Sequence, residues 1–110
     1  MTEFYEQVKE RLMRYARINT ESDPHSTSVP TTSCQHDLAS VIYEELQEIG
    51  ATNVYYDKDT CVVYGSLEAN VKTGRAIGFV THMDTAPDAS GKDVKPWVLE
   101  NYDGNDIILN

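Results

Sequence analysis

A histidine and an aspartate two residues apart, His82 and Asp84, follow the segment Arg75–Val80, in which the five residues from Ala76 to Val80 are small or apolar. That segment has no polar alternation, which predicts a strand buried on both faces, as in a parallel sheet. Strand side chains alternate with a period of two, so His82 and Asp84 are expected on one side of the strand's exit, where open α/β sheets bind ligands. An imidazole whose tautomer is fixed by a carboxylate is common at zinc. The spacing therefore predicts part of a metal site.

The triplet has a second interpretation, in which His82 is a polar side chain bonded to nearby backbone at a strand end. His-X-Asp occurs by chance in many chains, so the metal interpretation depends on the flanking residues. Cys34 and His36 are interpreted as an ordinary helix start, because no further ligands follow at zinc spacing. His25 lies in a polar loop and receives no role. Three aspartates are assigned to turns and loops rather than to metal: Asp88, Asp103 and Asp106.

The flanking residues carry a resemblance to a known family. Residues 77–91, IGFVTHMDTAPDASG, resemble the first metal-site motif of the co-catalytic zinc aminopeptidases and carboxypeptidases. Within that family, VKP at 94–96 and ENYDGNDIIL at 100–109 resemble the peptidase T family of tripeptide aminopeptidases. Shorter similarities precede the motif, at residues 14–15, 19–22 and 43–46. The resemblance therefore covers nearly the whole chain.

The resemblance implies a site with two zinc ions, in which His82 is a metal ligand and Asp84 is a catalytic residue that orients it. It also implies a zinc-dependent aminopeptidase that releases the N-terminal residue of tripeptides, so small peptides are the expected partners. In this family the remaining ligands follow a segment equivalent to 107–109. Residues 1–110 are accordingly expected to be a partial catalytic domain, without the rest of that domain and without the dimerisation domain. A homo-oligomer is expected for the full-length form.

Two alternatives remain open. A deacylase or carboxypeptidase of the wider family would keep the metal site and change the substrate. A non-catalytic truncated fragment or split-gene product, acting as a partner for other chains, would suit the apolar run Ile107-Ile108-Leu109, which stops without a polar end. The expectation from that run is a chain cut short.

The composition of the chain limits its expected binding partners and its cellular compartment. The chain has 110 residues and a formal charge of −9, which argues against nucleic acid and anionic membrane surfaces as partners. No apolar run approaches the ~20 residues that cross a bilayer, and the first residues lack the features of a signal peptide. Two cysteines without a secretion signal favour a reducing compartment, so a cytoplasmic location is expected.

The pattern predicts an α/β fold in which these elements position the pair. A helix is expected from Glu3 to Ala16, with an apolar packing stripe at Phe4, Val8, Leu12 and Tyr15. The Ser-, Thr- and Pro-rich segment Ile18–Ser33 is expected to be a linker.

A second helix is expected to begin at Thr32 and to end at a left-handed Gly50, with Thr32 and Gln35 forming a capping box. Its predicted buried face comprises Leu38, Val41, Ile42, Leu46 and Ile49, while His36 is expected to be exposed. Strands at Asn53–Tyr56 and Cys61–Leu67 are expected to pair as a hairpin through the turn at 57–60. With the buried central strand, the elements form the amino-terminal part of a zinc-peptidase catalytic domain.

Overall fold

The structure is a computed structural model that describes residues 2–72 and 74–109. Two helices precede an antiparallel pair of strands, which confirms the predicted α/β order of helix, helix and hairpin. The elements are α1 (Thr2–Tyr15), α2 (Gln35–Glu48), β1 (Thr52–Asp57) and β2 (Val62–Ser66). Among the described residues, no helix has the length and apolar character needed to span a membrane.

Polar contacts hold α1 against α2. The half-exposed guanidinium groups of Arg11 and Arg14 pair with the largely buried carboxylate of Glu45, and the Tyr15 hydroxyl donates a hydrogen bond to it. The predicted packing stripe of α1 does not pack, because Phe4, Val8 and Leu12 are all exposed. That expectation was wrong: in the described part of the chain, α1 is joined to α2 through its last turns and polar side chains, which leaves the apolar stripe uncovered.

The second helix carries the small core of the molecule. Leu38 and Ala39 are buried on α2, which packs against both strands of the hairpin, with Leu38 only 6% exposed, and Cys61 is buried as well. The predicted outer position Ile49 is exposed, so the buried face is shorter than the sequence pattern indicates. Gly50 ends the helix with φ of 82°, which confirms the left-handed stop. Backbone bonds from Gly50 to Gln47 and from Ala51 to Leu46 complete a Schellman motif.

The helix start differs from the prediction. The helix begins at Gln35 after Cys34, and no side chain caps the first turn, so the capping box does not form. The reason is that the Thr32 hydroxyl donates to the carbonyl of Glu21 at 2.7 Å, while the Gln35 amide donates back to that hydroxyl at 3.1 Å. The two residues predicted to cap the helix instead join it to the linker.

The hairpin forms as predicted, with adjusted ends. Tyr55 pairs with Tyr64 and Asp57 pairs with Val62, and a bulge interrupts the register between Thr52 and Tyr55. Cys61 lies in the loop rather than in a strand, with φ of 57°. The Asp57 carboxylate accepts the backbone N–H of Asp59 at 3.0 Å, which is typical of an Asx turn.

The predicted central strand is absent. Residues 75–80 have no regular structure, and Ile77 and Phe79 are 83% and 93% exposed. A strand buried on both faces needs hydrogen-bonded neighbours and covering layers, and within 2–72 and 74–109 no strand pairing or β-bridge includes residues 76–80. The radius of gyration, 17.1 Å, exceeds the roughly 13 Å of a compact domain of this size. The isolated chain is therefore extended around a small core.

Backbone protection should follow this division. In hydrogen exchange of the 110-residue chain, we expect the slowest amides in α2 and the hairpin, and rapid exchange at 75–80 and 107–109. The exposed apolar segments should also make the chain prone to association. Strong protection at 75–80 in a monomer that melts in one sharp transition would contradict this description.

Candidate metal centre

The predicted pair does come together. The Nδ1 atom of His82 lies 3.0 Å from the Asp84 carboxylate oxygen Oδ1 and 2.9 Å from the Asp84 carbonyl oxygen. The two side chains thus meet on one side of the backbone, although no strand precedes them. The contact therefore forms without the predicted strand.

The contact determines which ring nitrogen is available. The carbonyl and carboxylate oxygens of Asp84 near Nδ1 are both hydrogen-bond acceptors. Nδ1 is therefore the protonated nitrogen and donates the hydrogen bond. In the neutral imidazole the lone pair is then on Nε2, which leaves that atom able to act as a donor to a metal. The His82 side chain is 83% exposed and that of Asp84 is 40% exposed, so the ring is accessible.

Two cavities border the pair. One of about 220 Å³ is lined by His82, Met83 and Asp84 on one side and by α2 and β2 residues, with Cys61, on the other. The other, of about 380 Å³, places Asp84 beside the polar residues of the linker. Burial raises the pKa of the Cys61 thiol above its usual value.

The linker holds the pair in place, which sequence analysis missed. Thr85, the residue after Asp84, forms a parallel bridge with Glu21: its N–H donates to the Thr20 carbonyl at 3.0 Å, and its carbonyl accepts the Ser22 N–H at 2.9 Å. The Ser22 hydroxyl donates to the same carbonyl at 3.1 Å. A single bridge between residues more than 60 positions apart leaves no periodic signal in the sequence, so nothing local could have indicated it.

The other candidates lie elsewhere. His25 is exposed in the linker, as expected. His36 was expected to be exposed but is half-buried, because its ring bonds the hydroxyl of Tyr56 from β1. The Asp103 carboxylate accepts the backbone N–H of Asn105 at 3.1 Å, which confirms its turn role and holds the pKa of Asp103 below its usual value.

The donor set fits one ligand of a zinc site and not the whole site. Catalytic zinc uses about three protein ligands, and across residues 2–72 and 74–109 no three His, Cys, Asp or Glu side chains converge. What the described residues do provide is an accessible imidazole with its orienting carboxylate. The assignment of His82 as a ligand stays a prediction.

Comparisons with known proteins show which class of protein this chain is similar to. No family model matches the chain, but curated bacterial relatives do, and all those compared are peptidases. The particular name they carry is peptidase T. The relative from Alkaliphilus oremlandii is 47% identical over 104 residues, which is 92% of this chain and 25% of that protein. Those from Clostridium acetobutylicum and Geobacillus kaustophilus are 47% and 46% identical over 106 residues, 96% of this chain and 26% of each relative.

These matches confirm the resemblance to peptidase T along nearly the whole chain. The chain spans about a quarter of the length of the curated relatives it matches. The similarity includes the segment with His82 and Asp84, since it covers at least 92% of the residues in each of these comparisons. A peptidase family assignment therefore rests on sequence similarity, and the local geometry of the pair is compatible with it.

The tautomer of His82 is directly measurable. In long-range ¹H–¹⁵N spectra of the 110-residue chain above the imidazole pKa, we expect Nδ1 to be the protonated nitrogen to a larger extent than in an unstructured peptide. Asp84→Ala should lower that fraction, because only the backbone carbonyl acceptor remains. Asp88→Ala is the matched control and should leave it unchanged. Equal spectra for the chain and for Asp84→Ala would show that the carboxylate does not orient the ring.

Proposed function

We propose that this chain is part of the catalytic domain of a zinc-dependent aminopeptidase that releases the N-terminal residue of tripeptides. The observation that supports it most is the bond from His82 Nδ1 to Asp84, which leaves Nε2 as the exposed donor. The 46–47% identity to proteins named peptidase T supports the reaction class. Small peptides are the corresponding substrates.

Each residue has a defined task in this proposal. His82 would hold one zinc ion through Nε2. Asp84 accepts a hydrogen bond from the Nδ1–H group, fixes the ring and increases the donor strength of Nε2. When bound, zinc lowers the pKa of its water to about 7 and polarises a carbonyl group. The cavities beside Asp84 leave space for a small peptide next to the pair.

The remaining ligands are proposed to come from residues outside this chain. One imidazole falls short of the about three protein ligands that hold a catalytic zinc. We further propose that the chain belongs to a longer protein, which contains the second zinc site and a dimerisation domain and acts as a homo-oligomer in the cytoplasm. The relatives are about four times as long as the part matched here, which leaves room for the second zinc site and the dimerisation domain.

A second candidate is a non-catalytic fragment that associates with other chains. The exposed apolar residues at 76–80 and 107–109 favour it for the 110 residues alone, because exposed apolar segments promote association. A third candidate, a deacylase or carboxypeptidase of the wider family, is less favoured because the compared relatives carry the name peptidase T. Parallel assays on tripeptides, dipeptides and acylated amino acids separate the enzyme candidates.

Substitutions in the longer protein test the assignment of the pair. We expect His82→Ala to abolish zinc-dependent tripeptide hydrolysis. Asp84→Ala should lower kcat/KM by about 10- to 100-fold, as loss of a carboxylate behind a metal ligand does. The control is His25→Ala, because that imidazole is exposed in the linker and lines neither of the two cavities that border the pair. Undiminished activity in His82→Ala would remove His82 from the site.

The isolated 110 residues should be inactive. We expect no tripeptide hydrolysis with added zinc, because a single imidazole ligand does not retain the ion. Purified chain is assayed with increasing zinc, alongside His82→Ala as the background. Zinc-dependent turnover that disappears in His82→Ala would contradict the expectation, and would mean that the other ligands come from a second copy or are not required.

A further inference from the structure

The loop that follows the His82–Asp84 pair is fastened to the linker at two points. The first is the bridge at Thr85 described above. The second is the Gly91 N–H, which donates to the carboxylate oxygen Oε2 of Glu21 at 3.1 Å. Because no helix or strand of the described chain contains residues 81–91, these contacts are what give the pair a defined position.

The second point is tightly packed. A Cβ atom added at Gly91 would lie 2.7 Å from the Asn19 side-chain oxygen and 3.3 Å from the Thr85 hydroxyl. Contacts that close force something to move, so position 91 excludes a side chain. The Thr85 hydroxyl is also 3.4 Å from that of Thr20, which is only 3% exposed. The loop from Thr85 to Gly91 is thus closed onto the linker at both ends.

Glu21 is the residue common to these contacts. Its N–H donates to the Asn19 side-chain oxygen at 3.1 Å, and its carbonyl accepts the Thr32 hydroxyl at 2.7 Å. Its carboxylate is half-buried and accepts the Gly91 N–H, a charge-assisted bond of the stronger kind. One residue therefore connects the start of α2, the linker and the loop beside the pair.

We propose that Glu21 is a positioning residue for the candidate metal centre. By accepting the Gly91 N–H, its carboxylate closes the loop that begins at Thr85 and so holds Asp84 against the Nδ1 atom of His82. The inference rests on the proposed function for its catalytic consequence, but its structural consequence can be measured without any activity. Glu21 touches neither the metal donor nor the Asp84 carboxylate, so it acts through the backbone.

The test compares Glu21→Ala with Glu21→Gln, whose amide oxygen can still accept the Gly91 N–H. In the 110-residue chain, Glu21→Ala should shift the His82 tautomer away from the Nδ1-protonated form, and Glu21→Gln should retain most of it. In the longer protein, Glu21→Ala should lower kcat by about 10-fold and weaken zinc retention against a chelator, with little change in KM. Glu44→Ala, an exposed carboxylate on α2, is the matched control.

The outcomes are distinct. A normal His82 tautomer in Glu21→Ala overturns the inference, and so does equal loss of activity in Glu21→Ala and Glu21→Gln with the tautomer unmoved. If Glu21→Ala does not fold, Gly91→Ala displaces the same contact from the other side, and an unmoved tautomer there overturns the inference as well. Full activity in His82→Ala defeats the proposed function alone, since the tautomer measurement still decides the role of Glu21.

Discussion

The two backbone hydrogen bonds between Thr85 and the linker are the interaction on which the candidate centre depends. They connect residues 20–22, between the helices, to the residue that follows Asp84. They form a parallel β-bridge between Glu21 and Thr85, and the Gly91 N–H adds a further bond to the Glu21 carboxylate. The helix α2 is connected to this junction, because Thr32, three residues before the helix begins, bonds Glu21 directly.

Local and distant interactions determine different parts of this chain. The His82–Asp84 contact joins residues two positions apart, so it does not require burial or regular structure of the segment that precedes it. Burial of residues 75–80 instead requires neighbouring strands and covering helices, and the exposed Phe79 shows the consequence when none pairs with it. The described residues therefore orient the pair without completing a metal site around it. The proposed activity requires further ligands from residues outside this chain.

The same distinction explains what could be predicted from the sequence. The two helices, the Gly50 stop and the hairpin follow from periodicity and turn chemistry, and all three are present. The predictions of a central strand and of a packed stripe on α1 were wrong. An apolar pattern shows which residues are suited to burial, but it does not show whether other elements are present to cover them. Thr32 was expected as a cap, but a bond to Glu21 eleven residues away competes for its hydroxyl. The bridge at Thr85 had no local signal at all.

In the proposed centre, His82 binds zinc through Nε2 while the Asp84 carboxylate accepts a hydrogen bond from Nδ1–H. An anomalous-difference map from crystals of the longer protein grown with zinc tests it directly. The expected result is a zinc ion about 2.0–2.1 Å from His82 Nε2, with the Asp84 carboxylate on Nδ1 and away from the metal. Zinc bound without His82, or through Nδ1, would contradict the claim.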